Sequence, residues 1–260
     1  MNLTDDFILK CQKGSIIFLD DICAIKCATL GEIVDVGYSN FLNYLNVLTA
    51  QKPVFNDENN KELNDILNEL NDFSYFLIMT QMDEEINRKA KEAFKFFTKE
   101  EVMFSLDPAE IIVGPLDEKH FILEEDFYNF RHMLKKMYFL EDEEDDIIIY
   151  DYDSPRVKAL KRQRIENRAK LAKAKAKKRQ QSPEDNLEFS DLIGSIAVSG
   201  MCNLNMSNIW NITYYAFQDQ LKRMGWHERF NINNHRAALA GAKIDKSELK
   251  YWIKSIKSKR

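Results

Sequence analysis

The chain has 260 residues, 45% hydrophobic and 30% charged, with a formal net charge of −5. Those values are ordinary for a globular chain of one large or two modest domains, and so small a net charge excludes an argument for nucleic-acid binding from the total alone. No run of about 18 apolar residues exists to cross a membrane, the polar start Met1–Lys13 is no signal peptide, and the four cysteines, Cys11, Cys23, Cys27 and Cys202, form no CxxC pair that would hold zinc. Reduced thiols and a cytoplasmic location are the expectation. The 8 glycines and 5 prolines are few, which favours helices.

In chain order, Ser15–Leu19 and Ile22–Lys26 read as a hairpin with Asp20-Asp21 in its turn. Thr29 followed by Glu32 is a capping box opening a short helix that Gly37 ends. Phe41, Leu42, Tyr44, Leu45 and Leu48 recur at helical spacing up to Pro53. Leu63, Ile66, Leu67 and Leu70 make a second stripe, and Phe73–Met79 is apolar nearly all round, as in a buried helix. Residues 86–98 predict an amphipathic helix, with Thr98 capping another short helix through Glu101. The period then changes. Ile111–Val113 and His120–Leu123 predict paired strands, and Phe127, Phe130, Arg131, Leu134 and Met137 the periodic inner face of a helix with acids at its start and Lys135-Lys136 near its end.

The first module, residues 1–140, thus reads as α+β. Residues 141–182 reverse their charge. The acidic run Glu141–Asp146 precedes a basic run, Arg156–Arg179, whose only acid is Glu166, and Ala159–Arg179 predicts a solvated helix. Residues 183–260 read as an all-α module, with helices over 189–198, Asn208–Met224, Asn233–Ala242 and Lys246–Ile256. The fold class expected is mostly α: an α+β module and an all-α module on a charged helical connector.

The sequence carries no pattern for catalysis. His120, His132, His227 and His235 lack the nucleophile and acid of a triad, and no glycine-rich phosphate loop is present. No enzyme, cofactor or metal site is expected. The aromatic helices supply candidate partner-binding residues, Tyr44, Phe76, Phe127, Phe130, Trp210, Tyr214, Tyr215, Phe217 and Trp252. The basic run supplies Arg162, Arg164, Arg168, Lys175 and Lys178 as contacts for phosphate or an acidic partner. It lacks the interleaved aromatics that stack bases and the heptads of a zipper, which argues against nucleic acid.

Two stretches carry a resemblance. Cys23–Gly37 with Tyr38–Leu48 contains Thr-Leu-Gly-Glu-Ile, a glycine and a Tyr/Leu helix, and Glu124-Glu125-Asp126-Phe127-Tyr128-Asn129-Phe130 follows later. Asn208–Met224, Asn233–Gly241 and Leu249–Ile253 form a second block. These resemble the tail assembly chaperones of long-tailed phages of Gram-positive bacteria. The resemblance implies a non-enzymatic protein that binds the tape measure and tail-tube proteins, with self-association as a further expectation. A structural tail or neck component and a nucleic-acid-binding regulator are the alternatives.

Overall fold

The computed structural model describes residues 4–20, 22–53, 55, 61–115, 119–140, 154–164, 167, 170, 188–199 and 203–240. They form α1 (Asp5–Lys13), β1 (Ile16–Leu19), β2 (Cys23–Lys26), α2 (Leu30–Val36), α3 (Tyr38–Thr49), α4 (Lys61–Glu69), α5 (Asp72–Met82) and α6 (Glu84–Thr98). Then come β3 (Val102–Leu106), β4 (Ala109–Val113), β5 (His120–Ile122), α7 (Glu124–Met137), α8 (Phe189–Ser199), a 3₁₀ turn (Ile209–Asn211) and α9 (Tyr214–Ala240). Residues 155–164 are also helical. The fold is mostly α with two small antiparallel sheets, as expected.

Local chemistry sets most boundaries. Thr29 accepts from the Glu32 N–H and the Glu32 carboxylate accepts from the Thr29 N–H, so the capping box forms as read. In the hairpin, Ile17 faces Ile25 and Leu19 faces Cys23, all four buried, while Ile16 and Phe18 point outward. The start of α7 is held by the Leu123 N–H donating to Asp126.

Two expectations are corrected. Thr98 does not open a helix; its hydroxyl donates to the Phe94 carbonyl at the end of α6, and the chain turns into β3. β3 is edge to a three-stranded sheet in which Phe104 faces Ile111 and Ile111 faces Ile122, so β-sheet pairing outweighs the weak capping signal at 98–101. Nor are there two helices over the described residues 208–240. The chain makes the 3₁₀ turn first and begins α9 only at Tyr214, and α9 then runs unbroken through Gly225 to Ala240. A glycine inside a helix costs about 1 kcal/mol, which flanking residues outweigh. The acidic run 141–146 and the expected helix 246–256 lie outside the described residues.

The core of the first 140 residues is centred on α7. Phe130 stacks on Phe94 with ring centroids 5.0 Å apart, and Phe127 packs on Phe73 and Phe76 at 5.2 and 5.0 Å. Two positions of α7 buried there are charged, Arg131 and Lys135. Arg131, with its side chain 5% exposed, donates to Asp72 (2.8 Å) and to the carbonyls of Thr49 and Ala50 (2.9 and 2.8 Å). The last turn of α3 leaves orphan carbonyls that need donors, and a cation there also suits the helix dipole.

Removing one partner of a buried pair costs more than the pair contributes. Arg131→Met should lower unfolding stability by about 3 kcal/mol in denaturant melts, and adding Asp72→Leu should recover part of that loss. Glu32 gives a pH test. Burial pushes its carboxyl up, but the Thr29 N–H, Lys26 and Lys99 outweigh burial and hold it below its ordinary value of 4.5. The stability it adds is therefore present at neutral pH and lost as pH falls through and below that value. The stability gap between the native chain and Glu32→Gln should narrow from pH 7 to pH 3 in parallel melts.

Candidate functional site

The described part of the C-terminal block is packed on the first 140 residues along a seam. Thr29 and Thr213 form an isolated antiparallel bridge. The Tyr214 N–H donates to the Ala28 carbonyl (2.8 Å) and the Leu30 N–H to the Ile212 carbonyl (2.9 Å). The Ala28 N–H donates to the Tyr138 hydroxyl at 2.9 Å, so the end of α7 is tied into the same seam. Thr213 donates to the Gln12 carbonyl, and Gln12 donates to Asp219 on α9. Leu30, fully buried, is the residue of the first block that enters the second hydrophobic cluster, with Ile193, Ile196, Ile209 and Phe217. The backbone bonds contribute about 1 kcal/mol each, and burial of a leucine about 2 kcal/mol. Apolar burial dominates the affinity, while the bonds fix the register.

Two glycines allow this approach. A Cβ on Gly31 would stand 3.1 Å from the Trp210 carbonyl oxygen, and one on Gly14 would stand 3.0 Å from Thr213 Cγ2. Gly14 also has φ +73°, the left-handed cap of α1. At the edge of the seam Tyr38 stacks on Phe189 at 4.2 Å, and the Phe139 ring contacts both Tyr215 (4.8 Å) and the Lys222 ammonium (4.0 Å).

Behind the seam lie buried thiols. Burial pushes the Cys27 thiol up to about 12 against hydrogen bonds involving Tyr215, Tyr138 and Thr213. The Cys23 thiol is likewise pushed up to about 12, by burial first and then by Glu100 and Asp126. Cys11 rises further, through burial and its proximity to Cys27. Such thiols are protonated and unreactive. Among the described residues, no group of three or more His, Cys, Asp or Glu is placed to hold a metal.

Most of the aromatic positions named from the sequence are interior. Phe127, Phe130, Tyr215 and Phe217 are at most 1% exposed, and Tyr44 and Phe76 are each 8% exposed. Their helical spacing marks the face turned to the core, and these rings are engaged within the chain. Trp210 and Tyr214 are half-buried in the seam; the Trp210 indole donates to the Met206 carbonyl. Trp252, Arg168, Lys175 and Lys178 lie outside the described residues.

The basic run gives a different result. Arg164 is exposed, as expected. Arg162 is half-buried and donates to the Asn68 carbonyl at the end of α4 (3.3 Å). Lys52 caps that end as well, donating to the carbonyls of Leu67, Asn68 and Leu70. Burial pulls the Lys52 ammonium below its ordinary pKa; Asp72 opposes that shift and the Arg162 charge adds to it. Sequence reasoning missed Lys52, Tyr138 and Leu30. A cap donor distant in sequence and an inter-block apolar contact leave no local pattern.

Three apolar residues form a row across the outer face of the three-stranded sheet. Met103 faces Ile112 and Ile112 faces Phe121 across all three strands, on the side away from the core. Met103 and Phe121 are each 44% exposed. Phe18, on the outer face of the hairpin, is 66% exposed.

Residues 177–257 match the family model described as YomV second domain. That domain family is phage-associated, and the match suggests a phage-derived protein of the Bacillus prophage type. No curated protein and no solved structure matches the chain. Among the described residues, no helix is long and apolar enough to cross a membrane.

Gly31→Val should push Trp210 out of the seam at a cost of about 1–3 kcal/mol. The readout is thiol modification in a Cys202→Ser background. In that background without Gly31→Val, Cys11 and Cys27 should react with a disulfide reagent only as fast as the chain unfolds; with Gly31→Val they should react measurably faster at pH 8.

Proposed function

We propose that the chain is a non-enzymatic assembly factor of a phage, a tail assembly chaperone that binds the tape measure and tail-tube proteins by protein–protein contact. The observation that carries this reading is the match of residues 177–257 to a phage-associated domain, over the same C-terminal block whose helix pattern resembles those chaperones. The outward apolar row Met103–Ile112–Phe121 and the exposed Phe18 add to it, since exposed apolar groups beside charged helices suit the docking of a partner helix. The seam limits which surfaces take part. The buried faces of α3, α5 and α7 and the start of α9 are filled from within the chain, so partners meet the outer sheet faces and the basic helix. The working location on this reading is the cytoplasm of the bacterial host.

The test is affinity purification of the tagged full chain from cells producing the phage, with mass spectrometry of the eluate and of purified particles. The reading expects the tape measure or tail-tube protein in the eluate and no copies of the chain in finished particles. Fixed stoichiometry in the particles would replace it with a structural tail or neck component. Recovery of neither protein would remove it.

A further inference from the structure

The basic helix is anchored, and the anchor decides which face it shows. Ser154 accepts from the Val157 N–H and Pro155 takes the first helical position, which together start the helix four residues earlier than its alanines suggest. Residues 155–164 carry Arg156, Lys158, Lys161, Arg162 and Arg164 and no acid. Lys158, Lys161 and Arg162 are half-buried, at the spacing of one helical face, and Arg162 reaches the carboxyl end of α4 beside Lys52. That contact fixes the rotation of the helix. The opposite side holds Arg156, Leu160 and Arg164, each exposed and spaced four apart, a stripe of about 12 Å. Leu160 is 54% exposed, and Val157 next to the stripe is 38% exposed.

We propose that Arg156, Leu160 and Arg164, held outward by the Arg162 anchor, form a docking stripe for an acidic amphipathic helix of a partner protein. Charge complementarity chooses the sign of the partner, because residues 155–164 of the helix carry five cations and no acid. The exposed Leu160 and Val157 choose its kind. A phosphate backbone gains nothing from an apolar side chain between two arginines, whereas a helix with an apolar line and acidic flanks covers both. Arg162, read from the sequence as a partner contact, becomes a positioning residue. The inference rests on the chain acting through protein contacts and is independent of which phage protein is bound.

The experiment uses the full chain and a fluorescein-labelled synthetic peptide of Glu-Leu heptads, followed by fluorescence anisotropy. A scrambled peptide of the same composition and a DNA duplex serve as comparisons. The heptad peptide should bind more tightly than either. Arg156→Glu with Arg164→Glu, and Leu160→Gln alone, should each weaken binding roughly tenfold. Arg162→Gln should also weaken it and should speed trypsin cleavage at Arg156 and Lys158. Equal binding of the scrambled peptide, with Leu160→Gln silent, would overturn the proposal in favour of charge alone. Preferential binding of the duplex would overturn it in favour of nucleic acid. Tighter peptide binding after neutralising Glu141–Asp146 to the amides would overturn it by making the chain's own acidic run the occupant. These outcomes leave the particle and pull-down test untouched, so the two readings fail separately.

Discussion

The contact on which the rest depends is Leu30 in the second hydrophobic cluster, held by the bridge between Thr29 and Thr213. It joins two blocks that are far apart in sequence. Neither block's apolar residues are fully covered without the other: Leu30 needs Ile209 and Phe217, and Tyr215 lies in the first core cluster. Two backbone hydrogen bonds, with the Tyr138 hydroxyl behind them, define how the blocks meet. A small helical block of this size is marginal alone, and the seam supplies the apolar area it lacks.

A second device recurs at helix ends. Three cations cap carbonyls at helix ends: Arg131 at α3, and Lys52 with Arg162 at α4. The basic residues of this chain therefore divide into two groups. Some neutralise helix C-termini from inside the structure; others, such as Arg156 and Arg164, face solvent. Composition cannot separate the groups, because an anchoring arginine and a displayed one look alike in a charge run.

Local signals were the legible part of the fold. The Thr29–Glu32 capping box, the hairpin 16–26, the inner face of α7 and the Gly37 break are all written within a few residues, and each forms as read. Elements decided by distant pairing were not legible. β3 exists because Val102–Leu106 finds β4, and the turn at 209–211 exists because Gly31 admits the Trp210 backbone. The candidate site was less legible still. Aromatic residues at helical spacing report which face is apolar and not what covers it, so the spacing of Phe127, Phe130, Tyr215 and Phe217 fits core and partner anchor alike, and their burial assigns them to the core. The displayed stripe at 156–164 depends on Arg162 meeting Asn68, a contact between residues with no shared pattern.

The described residues form one docked structure whose aromatic residues are mostly internal, and on the reading proposed above partners meet outer sheet faces and a rotationally fixed basic helix. The central claim is that the described part of the C-terminal block is held on the first 140 residues through the seam. Native-state amide hydrogen exchange of the full chain tests this most directly. The Leu30 and Tyr214 amides, which donate across the seam, should be protected to within about tenfold of the α7 core amides such as Leu134. Exchange of both at the rate of exposed amides, with α7 still protected, would contradict it.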